Sequence, residues 1–143
     1  GPDEDIRMMH VSGRVDSSSL HSIGPEQSRL FPGTAEIGLQ RINMAPLDKV
    51  VAANEIESPA LLKLDVQGFE YEALLGCIPL LQNFQSIYCE CSFVELYLEQ
   101  ELAAEVVSLL STHGFSLSGV HNPTYDEHGR CIQADMLFTR SPS

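Results

Sequence analysis

The sequence predicts an α/β fold whose sheet is mostly parallel, with one reversed strand at its end. From residue 60 onward, apolar strand-like segments alternate with segments of helical spacing. Strand–helix–strand repeats form parallel units with right-handed crossovers, so this order predicts a parallel sheet. The last two strand-like segments are joined by residues 122–130, which show no helical pattern. A short connection of that kind predicts an antiparallel pair.

The first part of the chain predicts a β-hairpin with a long loop. Residues 4–11 and 36–44 are strand-like, and the turn-rich residues 12–35 between them predict an irregular loop. The hairpin therefore spans residues 4–44. Pro46 opens the segment PLDKVVAAN, which predicts a helix because proline is tolerated in a first turn.

The remaining residues, 45–143, predict an α/β half-sheet. The strands are expected at 60–66, 85–92, 115–121 and 131–139, and the helices at 69–76 and 99–112. At 143 residues the chain has the length of one domain. We therefore expect a single domain made of the hairpin and the half-sheet.

The composition indicates which classes of binding partner and which cellular compartment to expect. The chain has 8 Lys+Arg against 20 Asp+Glu, a net charge of -12, which argues against nucleic acid or an anionic membrane as a partner. No apolar run has the roughly 18 residues that a membrane helix needs. Its four cysteines form no C-x-x-C pattern. We interpret them as buried free thiols of a cytoplasmic protein, with a metal site or a disulfide as the alternative.

Polar side chains follow the first two predicted strands of the half-sheet. Lys63 and Asp65 share one face of the first strand, Gly68 allows a sharp turn after it, and Glu70 lies at the start of the next helix. The second strand places Tyr88, Glu90 and Ser92 on one face, with Glu95 soon after. Since a buried glutamate needs a partner, we expect Lys63 to pair with Glu90. Alternatively, Asp65 and Glu70 only cap the helix.

The last two predicted strands add polar groups at the same edge. The third strand ends near His121, Asn122 and Tyr125, and the reversed strand begins near Gln133 and Asp135. Ligands of open α/β sheets bind outside the carboxyl ends of the parallel strands, so we predict a site there. Its carboxylates suit either a general base for a hydroxyl group or a hard divalent cation. The sequence contains no P-loop, zinc signature or G-x-S-x-G elbow.

Three stretches carry a resemblance to a known family. The stretches are LLKLDVQGFEYEALLG, IYCECSFVELY and GVHNPTYDEHGRCIQADMLF, with DSSSL and LFPGT upstream. Over roughly residues 12–139, they resemble the carboxyl half of the FkbM-family methyltransferases. The family resembles the class I Rossmann-like fold, with strand order 3-2-1-4-5-7-6 and strand 7 antiparallel. The resemblance implies that this chain has strands 4, 5, 7 and 6.

The resemblance also implies an activity and roles for residues. It implies methyl transfer from S-adenosylmethionine to a hydroxyl group of a small molecule such as a sugar or a polyketide. The residues it implies are catalytic Asp65, Glu70 and Glu90; donor-binding Asp65, Val66, Gln67 and Gly68; and acceptor-binding Glu95, Asn122, Tyr125, Gln133 and Asp135. No metal ligand is implied.

One departure from the family pattern leaves alternatives open. Methyltransferases of this class have a Gly-rich turn after their first strand, and no G-x-G occurs in this chain. We therefore expect the donor-binding half to be missing and one edge of strand 4 to be exposed. The alternatives are a non-catalytic interaction module, such as a homodimer paired through that edge, and an acidic domain that binds a divalent metal.

Overall fold

The computed structural model describes residues 1–141, apart from the side chain of Val15. It is an α/β protein with a two-stranded and a four-stranded sheet. Residues 142 and 143, the end of the predicted half-sheet unit, lie outside the described residues. No helix among residues 1–141 is long and apolar enough to cross a membrane.

The predicted β-hairpin is confirmed. Strand β1 (Asp5–Ser12) pairs antiparallel with β2 (Glu36–Met44), and His10 lies opposite Leu39 in the register. The connection between the strands is less irregular than predicted, because it contains a 3-10 turn at Val15–Ser17 and the helix α1 (Pro25–Leu30). Pro25 begins α1, as its fixed φ favours a first-turn position.

The four-stranded sheet has the order β3-β4-β6-β5. Its strands are β3 (Leu61–Leu64), β4 (Ser86–Ser92), β5 (Phe115–Tyr125) and β6 (Cys131–Arg140). β3 and β4 are parallel, whereas β6 is antiparallel to both β4 and β5. The predicted mixed sheet with one reversed strand is confirmed, and its order is compatible with the 4-5-7-6 part of the class I sheet.

Helices cover one face of this sheet. The helix α2 (Glu70–Leu75) follows β3, and α3 (Ala103–Thr112) precedes β5. Ile87 and Cys89 of β4, Leu110 of α3 and Phe138 of β6 pack in the core between them with at most 1% of their surface exposed. Because strand side chains alternate, the other face carries Tyr88, Glu90 and the odd-numbered residues of β6, which are half-buried.

One predicted helix does not form, and a second is shorter than predicted. Residues 46–54 form no α-helix; they contain short 3-10 turns at Leu47–Lys49 and Ala53–Glu55. Only Leu47 packs against the core, and Val50 is 68% exposed, so the fold offers the apolar side chains of this segment no surface to pack against along a helix. The helix predicted at 99–112 begins only at Ala103, because Glu99 has a left-handed φ of 62° and the N-cap residue Leu102 is extended, with ψ of 179°.

The four cysteines are free thiols, as predicted, but only three of them are buried. Cys77, Cys89 and Cys91 lie in the interior, whereas Cys131 is half-buried. The Sγ atoms of Cys89 and Cys91 lie 3.6 Å apart on the core face of β4, as expected for residues two positions apart on a strand. The disulfide alternative is therefore wrong for this structure.

Candidate functional site

The candidate site is an acidic cavity at the carboxyl ends of β3 and β4. It has a volume of about 280 Å³ and is lined by two groups of residues. From the sheet and its loops come Asp65, Gln67, Glu90 and Gln133; from the 12–35 connection come Arg14, Asp16, Ser17, Gln27, Phe31 and Thr34.

The turn after β3 sets the position of Asp65. Gln67 and Gly68 both adopt left-handed backbone conformations, with φ of 51° and 89°. The Gln67 Nε2 atom donates a hydrogen bond to Asp65 Oδ1 at 2.6 Å. Asp65 is exposed, and its carboxylate is oriented by this amide rather than by the end of α2. The prediction that Asp65 only caps the helix is therefore wrong.

Glu70 lies behind the turn and is almost fully buried, with 5% of its surface exposed. Its Oε1 accepts a hydrogen bond from the Val66 N–H at 3.1 Å, which ties the start of α2 to the turn. Burial raises the pKa of Glu70 to about 7, although hydrogen bonds from backbone N–H groups partly offset this effect. Glu70 therefore fixes the loop that carries Asp65.

Glu90 lies in the carboxyl-terminal half of β4 and lines the same cavity. Its Oε1 accepts a hydrogen bond from Gln133 Nε2 at 3.1 Å. Burial, followed by the charges of Asp65, Glu70 and Asp135, raises the pKa of Glu90 to about 7. Carboxylate oxygens of Asp65, Glu70 and Glu90 all lie within 4.8 Å of one another. The three predicted catalytic residues are thus brought together.

The predicted ion pair between Lys63 and Glu90 is wrong. Lys63 lies opposite Tyr88 in the β3–β4 register, so Glu90 is two residues further along the neighbouring strand. That offset corresponds to about 6.6 Å of strand, and Lys63 remains exposed. Among residues 1–141, no cationic side chain forms a salt bridge with Asp65, Glu70 or Glu90.

The predicted acceptor-binding residues divide into two groups. Gln133 lines the cavity, and Asp135 adjoins it, because Asp135 is the register partner of Glu90. Asp135 Oδ2 accepts hydrogen bonds from Asn122 Nδ2 at 2.8 Å and from the Tyr88 hydroxyl at 3.0 Å. Asn122 therefore belongs to the same face of the sheet.

Two of those residues lie elsewhere. Tyr125 pairs with Cys131 at the end of the β5–β6 hairpin and is 59% exposed. Glu95 lines a separate cavity of about 620 Å³ together with His10 and His21. Neither of them lines the cavity that contains Asp65.

Sequence reasoning missed the residues that support the cavity wall. Tyr97 is 2% exposed, and its single hydroxyl proton is shared between two acceptors, the Ser17 carbonyl at 3.1 Å and Gln67 Oε1 at 3.0 Å. Burial and the nearby carboxylates raise the pKa of Tyr97, which keeps the hydroxyl protonated as a donor. Asp16, Ser17, Phe31 and Thr34 lie within the DSSSL and LFPGT stretches, which were the available signal for this wall.

Gln100 holds the loop after β4 that carries Tyr97. Its Oε1 accepts hydrogen bonds from the N–H groups of Leu96 and Tyr97, and its Nε2 donates to Ser92 Oγ at 3.0 Å. Backbone bonds such as Gly24 N–H to Leu96 O, at 2.9 Å, attach this loop to the 12–35 connection. The cavity wall is therefore anchored on both sides.

The fold and the cavity together define an α/β domain with a candidate small-molecule site at the carboxyl ends of its parallel strands. The family model described as methyltransferase FkbM domain matches residues 2–117. The match covers most of the chain, so the protein belongs to the FkbM methyltransferase family. It includes β1 to β4 and α1 to α3, and ends before the 122–138 block. No curated protein and no solved structure matches the chain.

Proposed function

We propose that this chain supplies the acceptor side of an S-adenosylmethionine-dependent O-methyltransferase that acts on a hydroxyl group of a small molecule, such as a sugar or a polyketide. The observation that carries the proposal is the shared cavity of Asp65, Gln67, Glu90 and Gln133 in a chain of the FkbM family. The strand order is compatible with the class I methyltransferase sheet.

The cavity suits a hydroxylated acceptor. Its lining combines carboxylates and carboxamides with one aromatic ring, that of Phe31. Carboxylates accept hydrogen bonds from hydroxyl groups, and carboxamides both accept and donate them. Gln133 and Glu90 are already joined by a hydrogen bond, so they present one donor–acceptor unit to the acceptor. Asp135 and Asn122 extend that polar surface beside the cavity.

Asp65 is our candidate for the group that takes or orients the hydroxyl proton. It is exposed to the cavity, and the chain of hydrogen bonds from Tyr97 through Gln67 fixes its carboxylate. Methyl transfer needs alignment of the attacking oxygen and removal of its proton. Glu90 provides a second carboxylate on the same wall, and Glu70 positions the turn rather than touching the acceptor.

The turn after β3 also offers space for the methyl donor. A second cavity of about 520 Å³ lies against Met9, Val11 and Val66, and it shares Asp16, Asp65 and Gln67 with the first. Residues 65–67 therefore lie where two cavities meet, which fits a reaction between two molecules. S-adenosylmethionine would supply an electrophilic methyl group there. The fit concerns this end of the donor alone, since the chain has no G-x-G turn.

Labelled S-adenosylmethionine tests the proposal. It is titrated against this chain and against a chain extended upstream of Gly1, and transfer to a panel of hydroxylated acceptors is then measured. In the active form, we expect Asp65→Asn to lower turnover by at least about 100-fold, the usual size of a general-base contribution. Its circular dichroism should match the wild type. Glu101→Gln, which removes an exposed charge outside the cavity, is the matched control. Near-normal turnover of Asp65→Asn would remove Asp65 from this role.

A second candidate function is an interaction module that pairs through β3. Within the described residues, β3 pairs only with β4, so its other edge is free, and Leu61 is 58% exposed. A free strand edge is a template for pairing with another chain. Size-exclusion chromatography over a range of concentrations tests this function. A monomer at all concentrations would count against a homodimer.

A further inference from the structure

We propose that Asp65, Glu70 and Glu90, with the carboxamide of Gln27, form a binding site for a hard divalent cation, with Ca²⁺ favoured over Mg²⁺. This site goes beyond the proposed methyl transfer and does not depend on it. Two independent observations carry it: the geometry of the carboxylates, and the unpartnered carboxamide oxygen of a buried residue that lines the same cavity as Asp65 and Glu90.

The carboxylate geometry matches an oxygen-ligand cation site. One oxygen from each of the three side chains lies within 4.8 Å of the other two. A point therefore exists within about 2.8 Å of all three oxygens, so at most a small side-chain adjustment brings them to the ~2.3–2.6 Å of Ca²⁺–oxygen bonds. Ca²⁺ is favoured because it accepts carboxylate and carboxamide oxygens in a flexible geometry, whereas Mg²⁺ demands a near-ideal octahedron and keeps several waters.

The second observation is Gln27 on α1. Only 4% of Gln27 is exposed, and its Oε1 has no hydrogen-bond partner among the described residues. A buried carboxamide oxygen without a partner is costly, and such groups call for an explanation. Gln27 lines the same cavity as Asp65 and Glu90. Carboxamide oxygen is an accepted Ca²⁺ ligand, directly or through a bound water.

The lack of a counter-charge near the three carboxylates also favours a cation site. No Lys, Arg or His side chain among residues 1–141 forms a salt bridge with the three carboxylates. Arg14, the cationic residue lining the cavity, is paired with Asp16 at 3.3 Å. Glu70 is buried and Glu90 is half-buried, so their negative charges are unfavourable without a counter-charge, and a divalent cation would compensate them together with the charge of Asp65.

Terbium luminescence tests the site on the whole chain. The protein contains no Trp, so excitation reaches only tyrosines. Tyr97 lies beside the site through Gln67, and Tyr88 lies beside it through Asp135. We expect sensitised Tb³⁺ emission when Tb³⁺ binds. We also expect Ca²⁺ to displace Tb³⁺ at a lower concentration than Mg²⁺ does. Asp65→Asn and Glu90→Gln should each weaken Ca²⁺ binding at least tenfold, while Glu101→Gln should leave it unchanged.

Gln27→Met separates a ligand from a merely structural residue. Met fills the same space without the unpartnered oxygen, so the metal-free variant should melt at the same or a higher temperature than the wild type. Its Ca²⁺ affinity should nevertheless fall several-fold. A loss of affinity together with a lower melting temperature would indicate damage to the fold, and would overturn the assignment of Gln27 as a ligand.

Three results would overturn the site as a whole. The first is no binding up to about 10 mM Ca²⁺, above the ~1 mM dissociation constants of weak protein sites. The second is equal Ca²⁺ affinity of the wild type and Glu90→Gln. The third is a loss of Ca²⁺ affinity in Glu101→Gln as large as that in Glu90→Gln. Either result would mean diffuse attraction to an acidic surface. Methyl transfer is assayed separately, on the chain extended upstream of Gly1: transfer without cation binding refutes this site alone, and cation binding without transfer refutes only the proposed function.

Discussion

Gly68→Ala tests how the turn at the site is built. Gly68 has φ of 89°, a left-handed conformation that costs an L-residue about 1–2 kcal/mol. An added Cβ would also lie 2.5 Å from Cδ2 and 2.8 Å from Cγ of Tyr97. The Tyr97 side chain is buried and hydrogen-bonded to Ser17 and Gln67, so its ring has nowhere to move.

The backbone cost and the overpacking cost together are a large fraction of a typical free energy of unfolding. Overpacking of this kind costs about 1–3 kcal/mol, so the free energy of unfolding should fall by about 2–5 kcal/mol. Urea denaturation, followed by tyrosine fluorescence and circular dichroism, measures the change. We expect a midpoint about 1–2 M lower than that of the wild type.

Gly129 provides the matched control. It also has a left-handed φ, 78°, but an added Cβ would meet no atom within 4 Å. Gly129→Ala should therefore cost only the conformational part, about 1–2 kcal/mol. Asn adopts this conformation more easily than Ala, so Gly129→Asn should be nearly neutral while Gly68→Asn remains destabilising. If Gly68→Ala cost no more than Gly129→Ala, the close packing of Tyr97 on the turn would be refuted.

Three further substitutions probe other contacts, each by urea denaturation. Arg140→Met removes a guanidinium that donates hydrogen bonds to three carbonyls, those of Leu81, Phe84 and His113. The same guanidinium lies 4.5 Å from the centre of the Phe115 ring. We expect the free energy of unfolding to fall by about 2–4 kcal/mol. Tyr97→Phe removes the donor to two oxygens and should cost about 1–3 kcal/mol. Lys63→Met should change stability by no more than about 0.5 kcal/mol, because exposed Lys63 does not pair with Glu90.

Each of these predictions has its own contradicting result. Arg41 is exposed on β2, so an equal loss in Arg41→Met would mean that the contacts of Arg140 contribute nothing. Tyr71→Phe is the control for the hydroxyl of Tyr97, and equal effects would place the cause in general packing. A loss above about 1 kcal/mol in Lys63→Met would revive the ion pair.

The parts of the fold that could be predicted from sequence are those with a local signal. β6 alternates buried and half-buried residues from Cys131 to Phe138, and this period is visible in the sequence. The clustering of Asp65, Glu90 and Gln133 follows from strand order alone, since the ends of parallel strands meet at one edge. The helix predicted at 46–54 failed because its pattern has no packing surface to match in three dimensions.

The remainder of the site depends on contacts between distant parts of the chain. Ser17 and Tyr97 are 80 residues apart, and their hydrogen bond ties the Ser17 wall of the cavity to the loop after β4. No local pattern encodes such a contact. The Lys63–Glu90 pairing failed for a related reason, because a shift of two residues in strand register decides which side chains meet.

The cavity is built from groups that oppose folding. Glu70 and Glu90 carry carboxyl groups whose pKa values are raised by burial, and Gln27 keeps an unpartnered oxygen in the interior. Apolar residues at these positions would stabilise the domain. The chain instead offsets the cost with fixed supports: Gln100 holds the loop, Tyr97 holds Gln67, and Gln67 holds Asp65. A set of costly groups held in register by a rigid support is the physical mark of a site kept for function.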